Sequence, residues 1–307
     1  MTILPRMHRL LESRYPRELS RLERYLAAGL NNVQGWLSTY SAEFIAVLSE
    51  IQHKAGYTGA VGEIGVHHGK LFILLLLTAS RREKAFAIDV FEAQDLNTDR
   101  SGRGDIRIFR TNVRRWAGSD CEIQVIAKSS LEVHPSDIVA VCGKVRLVSV
   151  DGGHTQECTV NDLFLADAVL QDWGIAIVDD FFNPNWPDVS TGVAKYLTNR
   201  NSKLAPFAIS PNKVYLCNPQ YAMSYRSEIR QHFRLCKESW MFGSAVDIYG
   251  TGPRTETLAS FTKWRIKESV IGPRLLAFRG FIRGKHGVGS PATAGWRYRL
   301  SWSPPRR

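Results

Sequence analysis

The sequence predicts an α/β protein: a doubly wound, mostly parallel seven-stranded sheet with an antiparallel closing strand, a helical cap before it and a basic extension after it. Three observations carry that prediction. From Tyr57 onward, short β-like runs alternate with helical patterns, as strands joined by crossover helices do. Gly62 to Lys70 reads Gly-Glu-Ile-Gly-Val-His-His-Gly-Lys, a glycine-rich turn between an apolar run and a long apolar helix. Most of the β-like runs also end in polar residues, and open parallel sheets bind ligands at the carboxyl ends of their strands.

Taken in order, residues 1–55 form the cap. Apolar positions recur at Leu19, Leu22, Leu26 and Leu30, and again at Phe44, Val47, Leu48 and Ile51, which is helical spacing on one face. The core spans 56–219. Its strands are expected at Tyr57 to Val61, Ala85 to Val90, Glu122 to Ala127, Val145 to Val150, Gly174 to Val178, Pro206 to Ile209 and Lys213 to Cys217. Leu71 to Leu77 is unbroken apolar sequence and reads as the buried helix after the first turn. Beyond Pro219 the pattern turns irregular, with Gly243, Gly250, Gly252 and Pro253 dividing it, so 220–307 is expected to be an extension.

With 307 residues, 44% of them hydrophobic, the chain can bury a full core. Its five cysteines lack C-x-x-C spacing, which points away from a disulfide framework or zinc site and fits a reducing cytoplasm. No apolar run reaches the ~18 residues of a membrane span, and Arg6, His8, Arg9, Glu12 and Arg14 stand where a signal peptide would be apolar. Residues 257–307 hold 11 Lys/Arg against one acid, Glu268, and so supply most of the +11 net charge. Aromatic residues interleave with that charge, a pattern suited to an anionic membrane or an acidic carrier as well as to a solvated extension. Nucleic acid is disfavoured because no basic stripe crosses the core.

The strand ends hold the candidate chemistry. Gly65 and Gly69 let backbone approach a ligand at the first turn. Asp89 ends the second strand, where a carboxylate can accept hydrogen bonds from both ribose hydroxyls of a nucleotide-like cofactor. The fourth strand ends in Asp151-Gly-Gly-His154 and the fifth in Asp179-Asp180. Three carboxylates on neighbouring tips repel unless a hard cation such as Mg²⁺ lies between them, although each alone could be a helix cap or an ion-pair partner. His154 suits a proton acceptor near neutral pH, or a cap of the next helix. His67 and His68 read as turn and packing residues.

The series Glu63-Ile64-Gly65-Val66-His67-His68-Gly69, Asp89, Asp151 with His154, and Asp179-Asp180 resembles the class I S-adenosylmethionine-dependent methyltransferases. It looks most like their metal-dependent O-methyltransferase branch, which includes catechol, caffeoyl-coenzyme A and antibiotic-sugar enzymes. The resemblance covers about residues 56–219. It implies a Rossmann-like fold, S-adenosylmethionine as cofactor, and methyl transfer to a hydroxyl of a small molecule or glycan. It further implies that Glu63 faces the methionine amino group, Gly65 and Gly69 line the cofactor turn, Asp89 binds ribose, and Ser129 or Ser130 lies near the adenine. Asp151, Asp179 and Asp180 would hold the cation, with His154 as base where catechol-type enzymes carry lysine. Substrate walls would come from the cap, the loop Gln94 to Asp105 and the segment Phe181 to Val189. A metal-independent enzyme of the same fold and a degenerate binding module tethered by the basic tail stay open. A nicotinamide dehydrogenase fits poorly, because the first turn lacks a closely spaced glycine pair. The N-terminal helices are suited to a homodimer.

Overall fold

The computed structural model describes residues 20–97 and 99–250. The basic extension beginning at Thr257, with its expected attachment to a membrane or carrier, lies outside the described residues, as does the first part of the cap.

The described residues open with α1, three consecutive helical pieces: Arg21–Arg24, the π-helical Tyr25–Gly29 and Leu30–Asn32. Ser20 and Glu23 form a capping box at its start. Gly29 is required by packing, since a Cβ there would lie 2.0 Å from the Tyr25 ring. Then follow α2 (Thr39–Lys54), β1 (Ala60–Ile64), α3 (Lys70–Thr78), β2 (Ala85–Asp89), α4 (Ile106–Trp116), β3 (Ile123–Ala127), α5 (Pro135–Cys142), β4 (Val145–Val150), α6 (Gln156–Val169), β5 (Leu170–Asp179), α7 (Pro187–Leu197), β6 (Ala205–Ser210), β7 (Lys213–Cys217), α8 (Pro219–His232), β8 (Lys237–Met241) and β9 (Ser244–Ile248).

The nine strands among the described residues form one sheet in the order β3-β2-β1-β4-β5-β7-β6-β9-β8. The first five are parallel, and β7 runs antiparallel between β5 and β6. The seven expected strands are all present. The expectation of irregular chain after 219 is corrected by α8 and the β8–β9 hairpin, which extend the same sheet through β6. Their sequences carry little apolar signal because this edge is held by charge. Asp247 of β9 accepts hydrogen bonds from Arg226 and Arg230 of α8 at 2.6–3.0 Å.

Strand alternation sorts side chains to two cores. Val61, Leu147, Ile175 and Ile177 face a layer containing Phe44, Leu48, Phe72 and Phe109, whereas Ile64, Val148, Ala176 and Val178 face Leu163, Ala166, Val193 and Tyr196. Helices thus cover both faces of the parallel strands, and buried Val, Leu and Ile side chains contribute roughly 1.5–3 kcal/mol each. Arg146 interrupts the apolar run of β4 and is fully buried. Its guanidinium donates to Glu83 (2.7 and 3.1 Å), Ser49, Gln52 and the Thr78 carbonyl, which offsets the loss of water. Burial pushes the Glu83 carboxyl up, but Arg146 outweighs it and holds it below its ordinary value.

Candidate active site

At the carboxyl ends of the parallel strands lies a cavity of about 510 Å³. β1 runs somewhat later than its apolar run suggests, so Glu63 and Ile64 belong to the strand and the turn begins at Gly65. Gly65 has φ +85°, and a Cβ there would lie 1.8 Å from the Asp151 carbonyl oxygen, so the β1 and β4 loops can meet only over a glycine. Gly69, at φ +87°, caps α3 and faces Phe109, away from the cavity wall. Asp89 accepts the backbone N–H of His67 at 2.7 Å and of Phe91 at 2.6 Å, which fixes the turn while leaving the carboxylate on the wall. Burial raises its pKa.

The cavity wall brings together Gly65, Asp89, Ser129, Ser130, Asp151, His154, Asp179 and Asp180. Glu63 stands behind it, 2% exposed, with Oε2 lacking a hydrogen-bond partner. Burial first, then Asp151, raises its pKa well above the carboxylate range. His67 joins the wall although the sequence suggests only a turn residue. It packs on His68 (centroids 3.9 Å apart) and under Trp36 (5.6 Å).

The acidic tips divide into two groups. Asp179 forms an ion pair with buried Lys213 of β7, the pair being set by the antiparallel register Asp179↔Lys213. Asp180, at φ +55°, accepts from Asn183 (2.6 Å) and Asn212 (2.8 Å) and lies 3.0 Å from His154 Nε2. His154 Nε2 is 3.8 Å from Asp151, while its Nδ1 and backbone N–H both meet Asp99 Oδ2, at 2.8 and 2.6 Å. Ligand atoms of Asp151, His154 and Asp180 all lie within 4.8 Å of one another. The expected trio of Asp151, Asp179 and Asp180 is therefore not the set that converges: Lys213 engages Asp179, and His154 takes its place.

The electrostatics follow from this arrangement. Burial lowers the His154 pKa, but hydrogen bonds to Asp180 and Asp99 outweigh it and raise it to about 10. These hydrogen bonds favour the charged form of the imidazole, whereas the sequence suggests a proton acceptor near its ordinary value. It does not cap α6, since Thr155 does. For Asp180, burial opposes but His154 and the two asparagines prevail, lowering it to about 2. Burial and then Asp179 push Asp151 well upward. Lys213 is pulled down by burial and pushed up more strongly by Asp179 and Asp151.

Of the walls, the loop at 94–105 supplies Gln94, Leu96, Asn97, Ser101, Gly102 and Gly104, and the cap supplies Trp36. Trp186 stacks on His154 with centroids 4.4 Å apart and planes 21° apart. Phe181 is core and Phe182 faces solvent. Sequence reasoning missed Lys213 and Asp99 as site residues. A lysine opening the otherwise apolar Lys-Val-Tyr-Leu-Cys run was the available signal for Lys213; Asp99 had none beyond its place in a wall loop.

A family model for a methyltransferase domain matches residues 63–181. The match runs from the end of β1 to just beyond β5, over the parallel part of the sheet, and covers 119 of the 307 residues. Among solved structures, the O-methyltransferase NovP is 17% identical, with 58% of this chain and 80% of that one covered and a TM-score of 0.49. The calicheamicin methyltransferase CalS11 is 16% identical over 69% and 90% of the two chains (TM-score 0.45), and a Bacillus cereus O-methyltransferase 16% identical over 69% and 95% (TM-score 0.44). No curated protein sequence matches this chain. Among the described residues no helix is long and apolar enough to cross a membrane.

Proposed function

We propose that the protein transfers the methyl group of S-adenosylmethionine to a hydroxyl of a small molecule or glycan, assisted by a divalent cation. The observation that carries this reading is one cavity with two kinds of wall: a glycine turn with Asp89, and beside it Asp151, His154 and Asp180. The cofactor fits the first. Glu63 keeps an unpartnered buried oxygen that an ammonium would satisfy, Gly65 leaves room for close backbone approach, and Asp89 can accept from ribose hydroxyls. When bound, it supplies an electrophilic methyl sulfonium.

The donor set of two carboxylates and one imidazole fits a divalent cation, and the imidazole extends the choice beyond Mg²⁺ to metals that accept nitrogen. Such a cation lowers the pKa of a bound hydroxyl. Asp151, His154 and Asp180 would hold it, with Asp99 fixing the His154 ring through Nδ1. Trp186 and Trp36 orient the acceptor, and Asn183 and Asn212 hold Asp180 in place. A metal-independent variant of the same reaction is favoured by one feature. Lys213 already places a positive charge among the carboxylates, and the contacts of His154 with Asp180 and Asp99 favour a second.

Calorimetric titration with S-adenosylmethionine tests the cofactor reading. Glu63→Ala and Asp89→Ala should each weaken binding by ~1.5–3 kcal/mol, as loss of hydrogen bonds to charged groups does. Unchanged affinity in both variants refutes it. For the cation, chelation and Asp180→Ala should stop methyl transfer to a panel of vicinal diols and sugars while S-adenosylmethionine still binds. Full turnover after chelation selects the metal-independent variant.

A further inference from the structure

Far from the cavity along α4, a second hollow of about 230 Å³ is lined by Arg21, Arg24, Arg114, Arg115, Trp116 and Gly118. α4 leaves the carboxyl end of β2 and returns to the start of β3, so Trp116 lies at the end of the sheet where the parallel strands begin, opposite the cavity.

The hollow is held in shape. Arg21 Nη1 donates to the Ala117 carbonyl at 2.7 Å. Gly118 sits at φ +97°, and a Cβ there would come within 2.6 Å of that same nitrogen, so the glycine leaves the guanidinium its place. The Arg115 guanidinium lies 5.3 Å from the centroid of the Trp116 ring. The four arginines come from two separate elements, α1 and α4. Among the described residues none of them forms an ion pair with a carboxylate, although residues 20–250 hold 24 Lys/Arg and 25 Asp/Glu. By composition the rest of the chain is net basic. Residues 1–19 carry four Lys/Arg and two acids, and 251–307 carry twelve and two.

The four arginines are solvent-exposed and converge on one small hollow, and their planar forks match phosphate oxygens in bidentate fashion. We propose that this hollow binds a phosphoryl group of a multiply charged ligand, a second site separate from the methyl-transfer cavity. The same chemistry is offered by a soluble diphosphate and by a lipid headgroup bearing a phosphomonoester.

The test uses the full chain and inorganic pyrophosphate, titrated calorimetrically at about 0.15 M salt. Arg24→Gln/Arg114→Gln is the test variant, because neither side chain supports Ala117. Wild type should bind, and the variant should bind at least about tenfold more weakly with its melting temperature and S-adenosylmethionine affinity unchanged. Gly118→Val, which displaces Arg21 without removing a charge, should weaken pyrophosphate binding likewise. Co-sedimentation with vesicles containing a phosphoinositide phosphomonoester distinguishes the sources. Sedimentation competed by pyrophosphate and lost in the double variant assigns the lipid, and pyrophosphate binding without sedimentation assigns a soluble ligand. No pyrophosphate or vesicle binding by wild type, or binding equal in wild type and double variant, overturns the proposal.

Discussion

Replacing Lys213 by Met keeps most of the stem and removes the ammonium from the centre of the site. The Lys213 side chain is 3% exposed and that of its partner Asp179 is 7%. After the change, Asp179 keeps hydrogen bonds from Asn212 (3.0 Å) and the Asp180 backbone N–H (2.9 Å) but loses its counter-charge. Glu63 and Asp151, both of which feel Lys213, lose theirs as well. Breaking a buried pair on one side costs about 3–5 kcal/mol, because the remaining charge stays buried and uncompensated. The sign of the pH dependence follows from the shifts. Glu63 and Asp151 have folded pKa values above their unfolded ones, so their ionisation opposes folding and that penalty fades as pH falls. Lys213 has a raised pKa, so its contribution is present below its unfolded value and is lost as pH rises through the folded one. Lys213→Met should therefore be about 3–5 kcal/mol less stable than wild type at pH 8 by urea unfolding, with a smaller deficit at pH 5. A deficit under about 1 kcal/mol at pH 8, or one that does not shrink with acid, refutes the reasoning.

Three further outcomes follow from the same structure. His154, with a folded pKa of about 10, contributes stability that is complete below about 6.5 and lost as pH rises through 10; melting curves of His154→Gln and wild type should differ most near pH 6 and converge above pH 10. Gly65→Ala meets the Asp151 carbonyl and places a side chain in left-handed backbone, so calorimetry should find S-adenosylmethionine binding lost and urea unfolding a cost of at least about 1–2 kcal/mol; wild-type affinity would contradict the described turn. Arg146→Met alone should destabilise by about 3–5 kcal/mol, and Glu83→Gln in addition should cost less than the separate effects summed, since the second change removes the charge left unpaired by the first.

The sequence by itself determined the alternation that builds a parallel sheet, the glycine turn after β1, and the acidic strand ends around the cavity. These are local properties: periodicity, backbone freedom at Gly65, and the chemistry of Asp89, Asp151 and Asp180 are visible in neighbouring residues. It also marked the loop at 94–105 and Trp186 as walls. Tertiary structure decided the partners. Whether Asp179 faces a cation or Lys213 depends on the antiparallel register of β7 against β5, which joins residues 34 positions apart. Asp99 reaches His154 from 55 positions away and changes the proton affinity of the imidazole. The β8–β9 hairpin escaped the apolar pattern because Arg226 and Arg230 secure it through Asp247. The arginine hollow exists only where α1 packs beside the end of α4. Charge pairing in a fold acts through space between residues distant in sequence, so spacing along the chain carries little record of it.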